Sequence, residues 1–156
     1  MHRLFSRRLV LLGMIGWLIW PRGSSHSFDA NNRLAPLIRS ATGGHEPQPG
    51  RVVLTLPPLA ESGHSIPLKV HMEALPTPHS YVKEMHLFAE RNPKPTIATF
   101  KLGPDAGRTE IHTRIRLAGT QAVTALAILN DGSSWITTAE VVVTAAACVE
   151  APEAAY

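Results

Sequence analysis

The chain holds one cysteine, Cys148, with eight residues after it. A thiolate is the side chain that attacks sulfur and forms S–S bonds. In an oxidising compartment an unpaired cysteine is buried and inert, joined to another molecule, or reactive. The surroundings of Cys148 favour the reactive reading. It follows the small residues Ala145, Ala146 and Ala147, precedes Val149, and sits close enough to the terminus for exposure and mobility to be expected. These four neighbours are read as a flexible arm. With no second cysteine in the sequence, Cys148 has no intramolecular disulfide partner. The eight histidines show no His-x-x-x-His spacing, and there is no Cys-x-x-Cys pair, so no metal site is expected. There is no Gly-x-Ser-x-Gly elbow and no glycine-rich phosphate loop. The chain therefore reads as bearing one reactive thiol, with no catalytic constellation or cofactor of its own expected, and not as an enzyme.

The elements that must position this thiol are strands. From Ser65 to Glu73, Ile66, Leu68, Val70 and Met72 fall on one face and Lys69, His71 and Glu73 on the other, the period of two that a half-buried strand requires. Thr109 to Leu117 repeats it, with Ile111, Thr113, Ile115 and Leu117 inward and Glu110, His112, Arg114 and Arg116 on a solvated face. Further strands are expected over Arg51–Leu56, Tyr81–Ala89, Thr96–Leu102, Gln121–Leu129 and Ser134–Thr144. Asn92-Pro93 and Gly103-Pro104 mark turns, and Asp131-Gly132 is expected to supply two positive-φ residues for a tight hairpin. About seven short strands predict an all-β fold, an immunoglobulin-like β-sandwich over residues 51–144, with a small barrel as the alternative. A short helical segment and linker are expected over 28–50. There Leu34, Leu37 and Ile38 share a helix face that Gly43 and Gly44 would end. Residues 145–156 form the arm bearing Cys148.

Composition limits the partners. A chain of 156 residues with 44% hydrophobic and 17% charged side chains has material for one domain. Four of its 15 Lys and Arg (Arg3, Arg7, Arg8, Arg22) precede any acid. Beyond them the bases and acids nearly balance, which argues against a nucleic-acid surface. Residues 1–27 have the parts of an export signal: a basic start, an apolar run from Leu9 to Trp20, and small polar residues from Gly23 to Ser27. The apolar run is shorter than the roughly 20 residues needed to span a bilayer as a helix. Ser6-Arg7-Arg8-Leu9 is similar to a twin-arginine pattern. Membrane contact is expected only through this leader, during export.

Three segments carry a family resemblance: Arg51-Val-Val-Leu-Thr-Leu-Pro-Pro-Leu-Ala-Glu-Ser-Gly-His-Ser-Ile-Pro-Leu-Lys-Val, then His86-Leu-Phe-Ala-Glu-Arg-Asn-Pro-Lys-Pro, then Thr113-Arg-Ile-Arg-Leu-Ala. Together they resemble SoxY, the sulfur-carrying subunit of the bacterial thiosulfate-oxidation (Sox) system. The resemblance implies a periplasmic immunoglobulin-like subunit that pairs with a SoxZ-like partner as a heterodimer. It also implies transient contact with other Sox enzymes and covalent sulfur attachment at Cys148. The family's usual ending is Gly-Gly-Cys-Gly-Gly, whereas this chain has Ala146-Ala147-Cys148-Val149-Glu150. Alanine and β-branched valine restrict a backbone that glycine leaves free. The alternative is therefore a SoxY-like binding or assembly subunit without covalent carriage.

Overall fold

The computed structural model describes residues 33–73, 79–106 and 109–146. The leader, together with Ala147, Cys148, Val149 and the chain beyond, lies outside the described residues. Helix α1 (Ala35–Ala41) is followed by β1 (Gln48–Pro49), β2 (Val52–Thr55), β3 (Leu59–Ser62), β4 (Ile66–Met72), β5 (Val82–Ala89), β6 (Thr96–Lys101), a 3₁₀ turn (Pro104–Ala106), β7 (Glu110–Ile115), β8 (Gln121–Leu129) and β9 (Ser134–Ala145). The larger sheet runs β1-β9-β8-β5-β6, with β3 also paired to β9, and the smaller is β2-β4-β7. This is the expected β-sandwich.

Period-two side chains make the core between the sheets. Ile66, Leu68, Val70 and Met72 of β4 and Ile115 of β7 meet Met85, Leu87, Val123, Ala125, Ala127, Leu129 and Val141 of the larger sheet. Strand β8 is buried almost throughout and does not alternate, because its second face is also covered. Leu34 and Ile38 of α1 pack on Phe88, Leu126 and Ile128 there. Fully burying an apolar side chain of this size contributes about 1.5–3 kcal/mol. The helix ends as its sequence demands. Gly43 takes φ 65°, and Gly44 N–H returns to Arg39 O at 2.8 Å, closing the last turn.

Two strands had no signature in the alternation. β1 falls in the expected linker and β3 just before β4, at two and four residues, too short to display a period. Both run parallel to β9, along the same edge. Gln48 is opposite Trp135, while Leu59 and Ser62 are opposite Val142 and Ala145. Between them the chain crosses to the smaller sheet as β2. Gly50 and Arg51 both take positive φ at the first crossing, and Val52 N–H bonds Gly50 O at 2.7 Å. Arg51 sits over the Trp135 ring, 4.7 Å from its centroid.

The β8–β9 hairpin corrects one expectation. Of Asp131 and Gly132, only the glycine has positive φ, at 85°. Gly132 N–H bonds Leu129 O at 3.1 Å, and Leu129 N–H bonds Ser133 O at 2.9 Å, so the loop has three residues and not two. Asp131 instead accepts from Ser133 N at 2.9 Å and Ser133 Oγ at 2.6 Å. Those two bonds, the side-chain one foremost, lower its pKa.

Candidate functional site: the root of the cysteine arm

Strand β9 delivers the chain to Cys148. Ala145, expected as the first residue of the arm, is instead the last residue of β9. Its carbonyl accepts from Gly63 N–H at 2.7 Å, and Gly63 O accepts from Leu117 N–H at 2.9 Å. One residue earlier, Thr144 Oγ1 donates to Glu61 O at 2.7 Å. The Thr120 hydroxyl accepts from Val143 N at 2.9 Å and donates to Val143 O at 3.3 Å. The exposed Ala146 is the first residue past the strand, and Cys148 follows two residues later. The arm thus starts from backbone fixed on both sides.

The same end of the sandwich joins two of the segments that carry the family resemblance. Asn92, from Glu90-Arg-Asn-Pro-Lys-Pro, is buried. Its Nδ2 donates to Arg116 O at 2.9 Å, while its Oδ1 accepts from Ala118 N at 2.8 Å and Gln121 Nε2 at 3.0 Å. Arg116 and Ala118 belong to the Thr113-Arg-Ile-Arg-Leu-Ala segment. Arg91 adds bonds from its backbone N to Gln121 Oε1 and from its guanidinium to Thr120 O, both at 2.8 Å. The β5–β6 turn therefore grips the β7–β8 connection, whose Leu117 and Thr120 hold the root of the arm. Sequence reading marked Asn92-Pro93 only as a turn. The dipeptide Asn92-Pro93 signals only a turn, and the partners of the buried side chain lie 24 to 29 residues away.

Two other polar groupings lie on the outer faces of the two sheets. His86 is buried on the outer face of the larger sheet, stacked on Phe88 with ring centroids 5.9 Å apart. Its Nδ1 lies 3.1 Å from Thr99 Oγ1. Glu84 Oε2 approaches Nε2 to 3.2 Å, close enough for charge attraction. Desolvation lowers the His86 pKa, against the smaller opposing pull of Glu84. On the outer face of the smaller sheet, Glu110 meets His112 at 2.7 Å and Lys69 at 3.2 Å. Hydrogen bonds from His112 first and Lys69 second hold its pKa at about 2. No three or more His, Cys, Asp or Glu side chains converge to hold a metal ion among the described residues.

Solved structures share the sandwich at low identity. A superoxide reductase (neelaredoxin) from Ignicoccus hospitalis matches with TM-score 0.52 and 13% identity, over 60% of this chain and 80% of that one. A single-site variant of that reductase matches at 0.53 and 14%, over 66% and 86%. A superoxide reductase described as putative, from Thermotoga maritima, matches at 0.50 and 14%, over 63% and 87%. At such identity the likeness is one of fold alone. No curated protein matches the sequence significantly. The family model for sulfur oxidation protein SoxY, by contrast, matches residues 38–148. That span runs from the helix core residue Ile38, through the Asn92 network and the anchored end of β9, to the cysteine itself, and on this ground the chain belongs to the SoxY family of sulfur oxidation proteins.

Proposed function

We propose that this protein is a covalent sulfur carrier of thiosulfate oxidation, with Cys148 as the point of attachment. The observation that carries the reading is the placement of the sole cysteine three residues beyond the hydrogen-bonded end of β9 at Ala145. A firm root followed by a short arm lets a thiol enter a partner's active site while the sandwich stays outside. In the loading step a bond forms between Cys148 Sγ and the outer sulfur of thiosulfate, giving a Cys–S–S–SO₃⁻ adduct. The thiol proton goes to solvent, and two electrons pass to an electron-accepting Sox enzyme, which makes this subunit the carrier and its partner the catalyst. A thiolate of a later partner that attacks the outer sulfur displaces the Cys148 thiolate and carries away the –S–SO₃⁻ group, which returns the carrier. The carrier uses no cofactor beyond this covalent sulfur.

The leader supports export to the periplasm by a twin-arginine-type route, where an unpaired thiol is available for such chemistry. A SoxZ-like subunit is the proposed heterodimer partner. Strand β6 ends the larger sheet, and β2 and β7 bound the smaller, so each offers backbone groups that a second β-rich chain can cover. The Ala146-Ala147-Cys148-Val149-Glu150 flanks favour the second reading, a binding or assembly subunit without covalent cargo.

Intact-mass and peptide mass spectrometry of periplasmic protein from thiosulfate-grown cells separates the two. The carrier reading expects a chain lacking its leader with a sulfur adduct on Cys148, abolished in Cys148→Ser while folding and pairing persist. A persistently unmodified Cys148 overturns it in favour of the assembly subunit.

A further inference from the structure

The outward side chains of Thr113-Arg-Ile-Arg were read from sequence as a solvated face. Their placement gives them a more specific use. A groove of about 440 Å³ crosses the smaller sheet between Thr55, Leu56 and Pro57 of the β2 end, Lys69 of β4, and His112 and Arg114 of β7. Glu110, ionised through most of the pH range, offsets one positive charge here by pairing with Lys69 and His112. Arg114 has no such partner among the described residues. Among the described residues it makes no ion pair, and its bonds go from Nε to Ser65 Oγ at 2.6 Å and from a terminal nitrogen to Ser65 O at 3.2 Å. These two contacts fix the plane of the guanidinium, and its remaining N–H groups have no partner among the described residues. A pre-set, uncompensated guanidinium fork fits two oxygens of a tetrahedral oxyanion. Arg116, exposed and two residues on, adds charge on the same face by strand alternation.

This fork lies at the arm's end of the molecule. Ser65 is two residues from Gly63, whose N–H bonds the carbonyl of Ala145. Ile66 is paired with Ile115, which sets Arg114 beside the same corner. Three residues of chain span up to about 10 Å, and whether an adduct on Cys148 meets the fork is what the loaded-protein arm of the test reads.

We propose that Arg114, oriented by Ser65 at the end of this groove, is a seat for the –SO₃⁻ group of the sulfur cargo. The inference rests on the carrier reading for its cargo, but the seat itself recognises the oxyanion chemistry, whether free thiosulfate or the sulfonate end of a Cys148 adduct. The seat is a binding element and takes no part in bond making.

The test uses ¹⁵N-labelled mature Cys148→Ser protein, which cannot be loaded, titrated with sodium thiosulfate at constant ionic strength. Saturable shifts are expected at the Arg114 Nε–H and the Ser65 amide. Arg114→Gln should weaken binding about tenfold or more through loss of charge-assisted hydrogen bonds. Shifts that stay linear and spread evenly over surface Lys and Arg residues, or affinity unchanged in R114Q, overturn the proposal. Should R114Q fail to fold, Ser65→Ala removes the Oγ that orients the fork and should weaken binding likewise. A second arm records parent protein loaded on Cys148, where the Arg114 Nε–H should move to its anion-bound position without free thiosulfate. If Cys148 loads and Arg114 stays still, the seat is overturned and the carrier reading stands. If Cys148 never loads but thiosulfate binds at Arg114, the carrier reading falls and the oxyanion seat stands.

Discussion

Replacing Asn92 with alanine tests whether the scaffold behind the arm is built as described. The side chain makes three hydrogen bonds, to Arg116 O, Ala118 N and Gln121 Nε2. Gln121 keeps a partner in Gly119 O at 3.3 Å, so the variant strands two backbone groups, Arg116 O and Ala118 N–H. An orphaned buried donor or acceptor costs about 1–3 kcal/mol. Both sites are part-buried, and water entering the vacated space recovers some of that, which puts the loss at roughly 2–4 kcal/mol. With a urea m-value of about 2 kcal/mol/M, the middle of the usual range for a small domain, the unfolding midpoint should fall by roughly 1–2 M with m unchanged. Asn92→Asp keeps the acceptor toward Ala118 and Gln121 but sets an oxygen against Arg116 O, so it should not rescue. Urea unfolding followed by circular dichroism reads the midpoint. A loss below about 0.5 kcal/mol in Asn92→Ala, the range of ordinary surface changes, would show that Asn92 is not what ties these segments together.

His86 makes stability depend on pH. Its folded pKa lies below the ordinary 6.5 through desolvation, so the unfolded chain takes up the proton first. Its contribution is therefore fully present above pH 6.5 and is lost as pH falls through the depressed folded value. His86→Gln should flatten the urea midpoint against pH below 6.5, and an unchanged slope there refutes the assignment. At the β8–β9 hairpin, Gly132 has φ 85° with nothing within 4 Å of where a Cβ would sit. Gly132→Ala should lose about 1–2 kcal/mol from backbone strain alone, and Gly132→Asn less. Thermal unfolding of the two variants checks the order.

Much of the sandwich was legible in the chain. Ile66, Leu68, Val70 and Met72 are buried as their alternation requires, and the outward run of Glu110, His112, Arg114 and Arg116 is as exposed as its period implied. Leu34 and Ile38 bury the helix face that their spacing set. Those features follow from local geometry, in which side-chain direction is fixed by position along a strand or helix. The SoxY resemblance, carried by contiguous segments, was legible for the same reason.

Only the tertiary structure decided the rest. Short β1 and β3 exist because the edge of β9 is there to receive them, and no period of two or four residues announces that. Asp131 and Gly132 share a turn motif, but the three-residue loop set by the β8–β9 register requires positive φ of only one. Asn92 reads as a turn residue until the fold brings Arg116, Ala118 and Gln121 to its amide. Arg114 reads as a solvated charge until pairing of β4 with β7 sets it on Ser65, near the root of the arm. The sequence by itself determined which side chains face inward and where the sole thiol stands along the chain. Which distant groups hold the end of β9 that leads to it depended on long-range pairing, because hydrogen-bond partners across a sandwich are chosen by register and crossing and not by neighbouring residues.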